Sequence, residues 1–148
     1  MSTCPQCGAT FPHDQRCRDR FDADQTREFE QPAYFAVHQL SAPCYLLQHN
    51  GYSRAGWLWA HSLLAQFVAG LSPAEARQQQ RGAVDSVRRS CSFTKGARLP
   101  GVAAIAWTRT IADVRTDTPE HYRADVRAWA ASILADTAPL LRTLDPTP

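Results

Sequence analysis

The sequence predicts an all-α protein, a bundle of four to five helices. Apolar residues recur at helical spacing in several segments, most clearly in the last third of the chain, where Tyr122, Val126, Trp129 and Ile133 follow one face of a helix. Helix start signals, in which Ser or Thr precedes a proline, stand before two of these segments. No segment shows the sustained alternation of apolar and polar residues that is typical of a strand.

Length and composition indicate one domain that spans residues 1–148. Hydrophobic residues make up 44% and charged residues 20% of the chain, values typical of globular proteins and not of disordered ones. The apolar stretches are amphipathic or shorter than the roughly 20 residues that a membrane span needs. The opening MSTCPQCG is unlike a signal peptide, so we expect a cytoplasmic protein with reduced cysteines and no membrane partner.

Three of the five cysteines stand close together at the start of the chain. Cys4-Pro5-Gln6-Cys7-Gly8 has the pattern of a rubredoxin-type knuckle, in which two thiolates chelate one ion, and Cys17 supplies a third thiolate before a predicted helix. Residues 1–17 contain too few apolar side chains to fold without a metal. We therefore predict an N-terminal zinc knuckle, residues 1–17, that binds Zn²⁺ and packs on a helical bundle formed by residues 18–148.

The fourth ligand is not settled by spacing. His13 completes a local C-x2-C-x5-H-x3-C pattern, whereas His38 would join the knuckle to the second helix. If the first two helices form an antiparallel hairpin that turns near Gln31, Cys17 lies closer to Cys44 than to His38. Cys44 and His49 remain further candidates.

Two helices are predicted in the first third of the chain after the knuckle. A short, charged helix covers Arg18 to Phe29, and Pro32 suits the first turn of the next. Apolar and aromatic residues then recur at helical spacing as far as the turn signal Asn50-Gly51. Pro43 is expected to bend this second helix.

Three further helices and a long connection follow. Ser53 caps a helix that ends near Gly70, and Ser72-Pro73-Ala74-Glu75 is a capping box for a fourth helix that runs to about Arg89. Glycines and Pro100 mark a connection from Ser92 to Trp107. A short helical turn is predicted over Thr110–Val114, and Thr118-Pro119-Glu120 opens the last long helix.

Two other groups of side chains suggest chemistry. Tyr34, His38, Tyr45 and His49 recur on one side of the second helix, and with His121 they could form a catalytic metal site. That helix carries no carboxylate to act as a base, so we favour an interface of hydrogen-bonded side chains. The second group is a nucleic-acid-binding candidate, in which Arg16, Arg18 and Arg20 flank the cysteines, but the net charge is only +2.

Several stretches of the chain resemble the bacterial proteins grouped as domain of unknown function family 5946. They are CPQCGA, Cys17, PAYFAVHQLSAPCYLLQH, TIADVR and VRAWAASIL, which together cover nearly the whole sequence. The resemblance implies no activity. It favours His38 as a metal ligand, because His38 belongs to the same set of motifs as the cysteines.

We therefore predict a zinc site of Cys4, Cys7, Cys17 and His38, with His13 as the alternative fourth ligand. The predicted function is that of a zinc-stabilised binding or regulatory module, with a protein partner and no enzymatic activity. The alternatives are a metal-dependent enzyme that uses the His/Tyr cluster and a zinc-knuckle protein that binds nucleic acid.

Overall fold

A computed structural model describes residues 1–144 apart from 73, 76, 79, 80 and 82–92. The predicted all-α class, with an N-terminal cysteine cluster, is confirmed. The described elements are two short strands, five α-helices and two 3₁₀ turns. Their bounds are β1 (Ser2–Thr3), β2 (Thr10–Phe11), α1 (Cys17–Glu30), α2 (Pro32–Phe35), α3 (His38–Gln48), α4 (Arg54–Val68), the turns Val102–Ala104 and Ile111–Asp113, and α5 (Pro119–Leu144).

The core lies where α3, α4 and α5 pack against one another. Each helix presents an apolar stripe to this contact, and the largest side chains there are fully buried, among them Trp57, Trp129, Leu40 and Leu64. The Ser53 hydroxyl accepts a hydrogen bond from the Gly56 amide at 3.1 Å, as expected of the predicted cap of α4.

Helices α1 and α3 contact each other as an antiparallel pair. Every step of three or four residues along α1 is matched by an equal step backwards along α3. The contacting pairs are Phe21 with Tyr45, whose ring centroids lie 4.0 Å apart, Gln25 Nε2 with Ser41 Oγ at 3.2 Å, and Glu28 Oε1 with His38 Nδ1 at 2.9 Å. This register places the start of α1 beside the end of α3, and the end of α1 beside the start of α3.

The predicted second helix is divided, and the division is not at the proline. Val37, with φ −111° and ψ 16°, leaves helical geometry and separates α2 from α3. Pro43 lies inside α3, which continues across it. The break allows Tyr34 to donate a hydrogen bond to the Thr116 carbonyl at 3.0 Å while His38 contacts Glu28.

The remaining predictions have mixed outcomes. The Ser72–Glu75 capping box is present, with both of its hydrogen bonds formed, but most of the predicted helix to Arg89 lies outside the described residues. The predicted turn near Thr110 is the 3₁₀ turn Ile111–Asp113. The small antiparallel β1–β2 ladder was not predicted, because strands of two residues are too short to show alternation.

Within the described part of the chain, no helix has both the length and the apolar character needed to span a bilayer.

Candidate metal centre

The β1–β2 hairpin presents Cys4 and Cys7 from its turn. The Cys4 amide donates to the Ala9 carbonyl at 2.8 Å, and the Gly8 amide donates to the Cys4 carbonyl at 2.9 Å. Gly8 adopts φ 83°, a left-handed conformation that glycine takes without strain. The Ala9 amide then points at Cys7 Sγ, 3.5 Å away, as backbone amides do around metal-bound thiolates in knuckles. The hairpin thus holds both sulfurs on one side of the turn.

Two helix ends bring the other members of the group to the hairpin. Cys17 is the first residue of α1, and His49 directly follows α3. Because α1 and α3 are antiparallel, these two ends lie side by side. Cys7 and Cys17 are buried and Cys4 is half-buried, so the group sits just beneath the surface.

The ligand atoms of Cys4, Cys7, Cys17 and His49 all lie within 4.8 Å of one another. Cys7 Sγ is 3.4 Å from Cys17 Sγ, and Cys4 Sγ is 3.6 Å from His49 Nε2. A tetrahedral zinc ion, with Zn–S about 2.3 Å and Zn–N about 2.0 Å, holds two sulfurs about 3.8 Å apart and a sulfur and a nitrogen about 3.5 Å apart. The group therefore has the composition and nearly the dimensions of a Cys₃His zinc site.

The orientation of His49 suits a metal ligand. Its Nδ1 lies 2.7 Å from the Tyr45 carbonyl oxygen, which can only accept, so Nδ1 carries the proton. The lone pair is then on Nε2, the nitrogen that faces Cys4. Stacking on the Tyr45 ring, with centroids 4.0 Å apart, restrains the imidazole further. A backbone carbonyl that fixes the tautomer in this way is the usual outer partner of a metal-bound histidine.

Hydrogen bonds within the group shift the pKa values of Cys7 and Cys17 in opposite directions. The bond from the Cys17 thiol lowers the pKa of Cys7 to about 4, and the same bond raises the pKa of Cys17. Burial alone would lower the pKa of His49, but hydrogen bonds with Cys7 and with the Tyr45 carbonyl raise it above the ordinary value. Protons thus bridge the crowded ligands, and a divalent cation would replace them.

A comparison with known protein families shows which family the chain belongs to. The model of a family described as "Family of unknown function (DUF5946)" matches residues 2–138, nearly the whole chain. The chain belongs to this family. No curated protein and no solved structure matches the chain. Membership in DUF5946 assigns no activity to the chain.

The choice of fourth ligand in this DUF5946 protein requires a correction. The structure places His49, and neither His38 nor His13, with the three cysteines. His38 begins α3 and lies at the opposite end of the antiparallel pair from Cys17, where its Nδ1 contacts Glu28. His13 is exposed in the loop before α1, with φ 55°. The three cysteines of the predicted set Cys4, Cys7, Cys17 and His38 thus lie together with His49 and apart from His38.

The proposed cluster of tyrosines and histidines does not form one site. His49 belongs to the cysteine group and Tyr45 stacks on it, whereas His38 lies at the other end of α3. His121 Nδ1 lies 3.0 Å from Asp117 on the surface at the start of α5. Among the described residues the only metal-competent group is the Cys₃His one, so the second site of three histidines is not assembled.

Sequence reasoning missed a buried carboxylate. Glu28 is near the end of a short, charged helix, where glutamate is ordinarily exposed, yet its side chain is 0% exposed. It contacts His38, Ser41 and Tyr122. Its burial follows from tertiary packing against α3 and α5, which local spacing does not reveal.

The arginines beside the cysteines are paired with carboxylates. Arg16, Arg18 and Arg20 each contact an aspartate three or four residues further along α1, the partners being Asp19, Asp22 and Asp24. These pairs cancel much of the positive charge that a phosphate backbone would meet.

Proposed function

We propose that Cys4, Cys7, Cys17 and His49 bind one zinc ion per chain, and that this ion stabilises a small helical module that acts by binding a partner. The observation that supports the zinc site is the convergence of three thiol sulfurs and one correctly oriented imidazole nitrogen within 4.8 Å. Thiolate ligands select zinc over magnesium, calcium or manganese.

A structural role follows from which segments the ion would join. Cys4 and Cys7 come from the hairpin, Cys17 from α1, and His49 from the end of α3. Phe11 and Ala9 are the buried apolar contributions of the hairpin, which is a small area of contact for the whole segment that precedes α1. Bonds from one ion to all three segments would supply the stabilisation that this area does not. Four protein ligands would also close the coordination shell, as in structural zinc sites.

A structural ion in a module that binds a partner is better supported at this centre than a catalytic ion. A closed site leaves no position at which a metal-bound water could be activated. A cavity of about 250 Å³ borders the group, and Cys4 and His49 are among the residues that line it. A test must therefore determine whether the ion has a fifth, open coordination position on the side of this cavity. A nucleic-acid partner receives less support, because the flanking arginines face aspartates.

The zinc content of protein prepared without a metal-affinity tag tests the site. We expect one equivalent of zinc per chain, lost in Cys7→Ala and retained in Cys44→Ala. Cys44 is a matched control, because it is equally buried but lies outside the ligand group. Native protein without zinc, or equal loss in both variants, would reject the proposed site. Activity screens with esters, phosphates and amides should stay at background.

A further inference from the structure

The three cysteines of the metal centre differ in their access to solvent. Cys7 is 3% and Cys17 is 6% exposed, whereas Cys4 is only half-buried. The cavity of about 250 Å³ beside the centre is lined by Cys4 and Cys17, and Cys7 is not part of its wall. A water molecule takes about 30 Å³ of liquid, so this cavity has room for a small molecule that approaches Cys4. Cys4 is therefore the thiol that a reagent from solvent meets first.

Cys17 is the thiol best placed to react with Cys4 afterwards. All ligand atoms of the centre lie within 4.8 Å of one another. Hydrogen bonds with Cys7 and with Cys4 are among the causes that raise the pKa of Cys17, so its sulfur interacts with both of the others. The hydrogen-bond partners of Cys7 within the described part of the chain do not include Cys4; they are Cys17, His49 and the Ala9 amide. A bond from Cys4 to Cys17 therefore needs a smaller rearrangement than a bond from Cys4 to Cys7.

We propose that Cys4 is a modification site for hydroperoxides, and that its oxidation joins Cys4 to Cys17 in a disulfide and releases the zinc ion. A cysteine that binds a metal ion does so as the thiolate, which is also the nucleophilic form. Accessible thiolates that lie next to a second cysteine are the ones that oxidants modify selectively. This inference rests on the proposed zinc site, which uses both cysteines as ligands.

The reaction consists of two steps that together remove two electrons from the sulfurs. In the first step the Cys4 thiolate attacks hydrogen peroxide; an S–O bond forms, the O–O bond breaks, and the hydroxide that leaves takes a proton from solvent. In the second step the Cys17 thiolate attacks the sulfur of the resulting sulfenic acid; an S–S bond forms, the S–O bond breaks, and a second hydroxide leaves and is protonated. The peroxide is thus reduced to two molecules of water.

The disulfide leaves too few ligands to hold the ion. Only Cys7 and His49 remain, whereas a structural zinc site uses four protein ligands. Before oxidation the ion joins the hairpin, the start of α1 and the end of α3. The disulfide joins only the hairpin and α1, so oxidation releases the end of α3 from the other two segments.

Stoichiometric oxidation of zinc-loaded protein tests the proposal. The zinc content is measured first, and zinc release on addition of hydrogen peroxide is followed with a chromophoric chelator. We expect about one zinc ion to be released for each peroxide consumed, because one peroxide forms one disulfide. Peptide mapping should identify that disulfide as the one between Cys4 and Cys17. Cys44, which is fully buried and outside the cavity, should remain reduced.

Two tryptophan variants test whether access through the cavity determines the rate. Gln15 is exposed and lines the cavity, so Gln15→Trp should narrow the opening and slow zinc release by peroxide. Gln31→Trp, at a glutamine that is also exposed but follows the far end of α1, should leave the rate unchanged. Neither glutamine is a metal ligand, so both variants should bind zinc as tightly as the native protein does.

The outcomes distinguish this inference from the zinc site itself. Native protein that contains no zinc before the oxidant is added would reject both. Zinc-loaded protein that keeps its zinc in the presence of peroxide, or that forms a different disulfide, would overturn this inference and leave the zinc site standing. Equal rates of zinc release in Gln15→Trp and the native protein would also overturn it.

Discussion

The two ends of the α1–α3 pair hold polar groups of opposite character. At one end, three thiols and an imidazole crowd together with more potential negative charge than the protein neutralises. At the other end, the carboxyl group of Glu28 has four hydrogen-bond partners that the protein itself supplies. A cation could neutralise the first group, whereas the polar atoms of the second group are already hydrogen-bonded within the protein. The same helix register thus produces one group that could bind a metal ion and another whose polar atoms are paired within the protein.

Metal removal should separate the two ends most strongly. A chelator is expected to lower the free energy of unfolding by at least about 4 kcal/mol, the linkage effect of zinc at about 1,000 times its Kd. Hydrogen exchange should rise in the hairpin and at the start of α1, while the amides around Glu28 stay protected. Uniform loss of protection along both helices would show instead that the two ends are not independent.

His38 and His49 stand at opposite ends of α3, so variants of each should affect zinc binding differently. Removal of an outer-shell partner already costs about 10–100-fold in metal affinity, so His49→Ala, which removes a ligand, should weaken zinc binding by more than about 100-fold. His38→Ala should leave the zinc affinity unchanged, because the side chain lies at the far end of the helix. Competition with a chromophoric chelator measures both values. A loss of affinity in His38→Ala alone would restore the set read from the sequence.

Tyr122→Phe should have a smaller effect, confined to the Glu28 end. It deprives a buried carboxylate of one donor and should cost about 1.5–3 kcal/mol, the range for hydrogen bonds to charged groups. Urea unfolding of zinc-loaded protein measures this cost, and Tyr34→Phe, which removes a hydrogen bond to a neutral backbone carbonyl, is the control with a smaller expected loss. If zinc content falls in Tyr122→Phe, the two groups are coupled.

The difference between the two ends also explains what the sequence could predict. Cys4, Cys7 and Cys17 lie close together in the sequence, so local spacing was sufficient to indicate a metal ligand set. The choice between His38 and His49 depended on the register of two helices. That register is determined by tertiary packing through α2 and the break at Val37, which spacing does not reveal.

Glu28 shows a stricter limit of sequence reasoning. Its partners come from α1, α3 and α5, and Tyr122 is far from it along the chain. No local pattern distinguishes a glutamate that packs inward from one that faces solvent. Helix starts were easier to predict, because caps such as Ser53 act on amides only a few residues away.

X-ray absorption spectroscopy at the zinc edge tests the central claim most directly, because it counts the atoms bound to the ion. For native protein the proposed ligand set predicts three sulfurs at about 2.3 Å and one nitrogen at about 2.0 Å, with no further ligand. The nitrogen should disappear in His49→Ala and remain in His38→Ala. A shell of four sulfurs, or one that contains a water in addition to the four protein ligands, would contradict a closed structural site of Cys4, Cys7, Cys17 and His49.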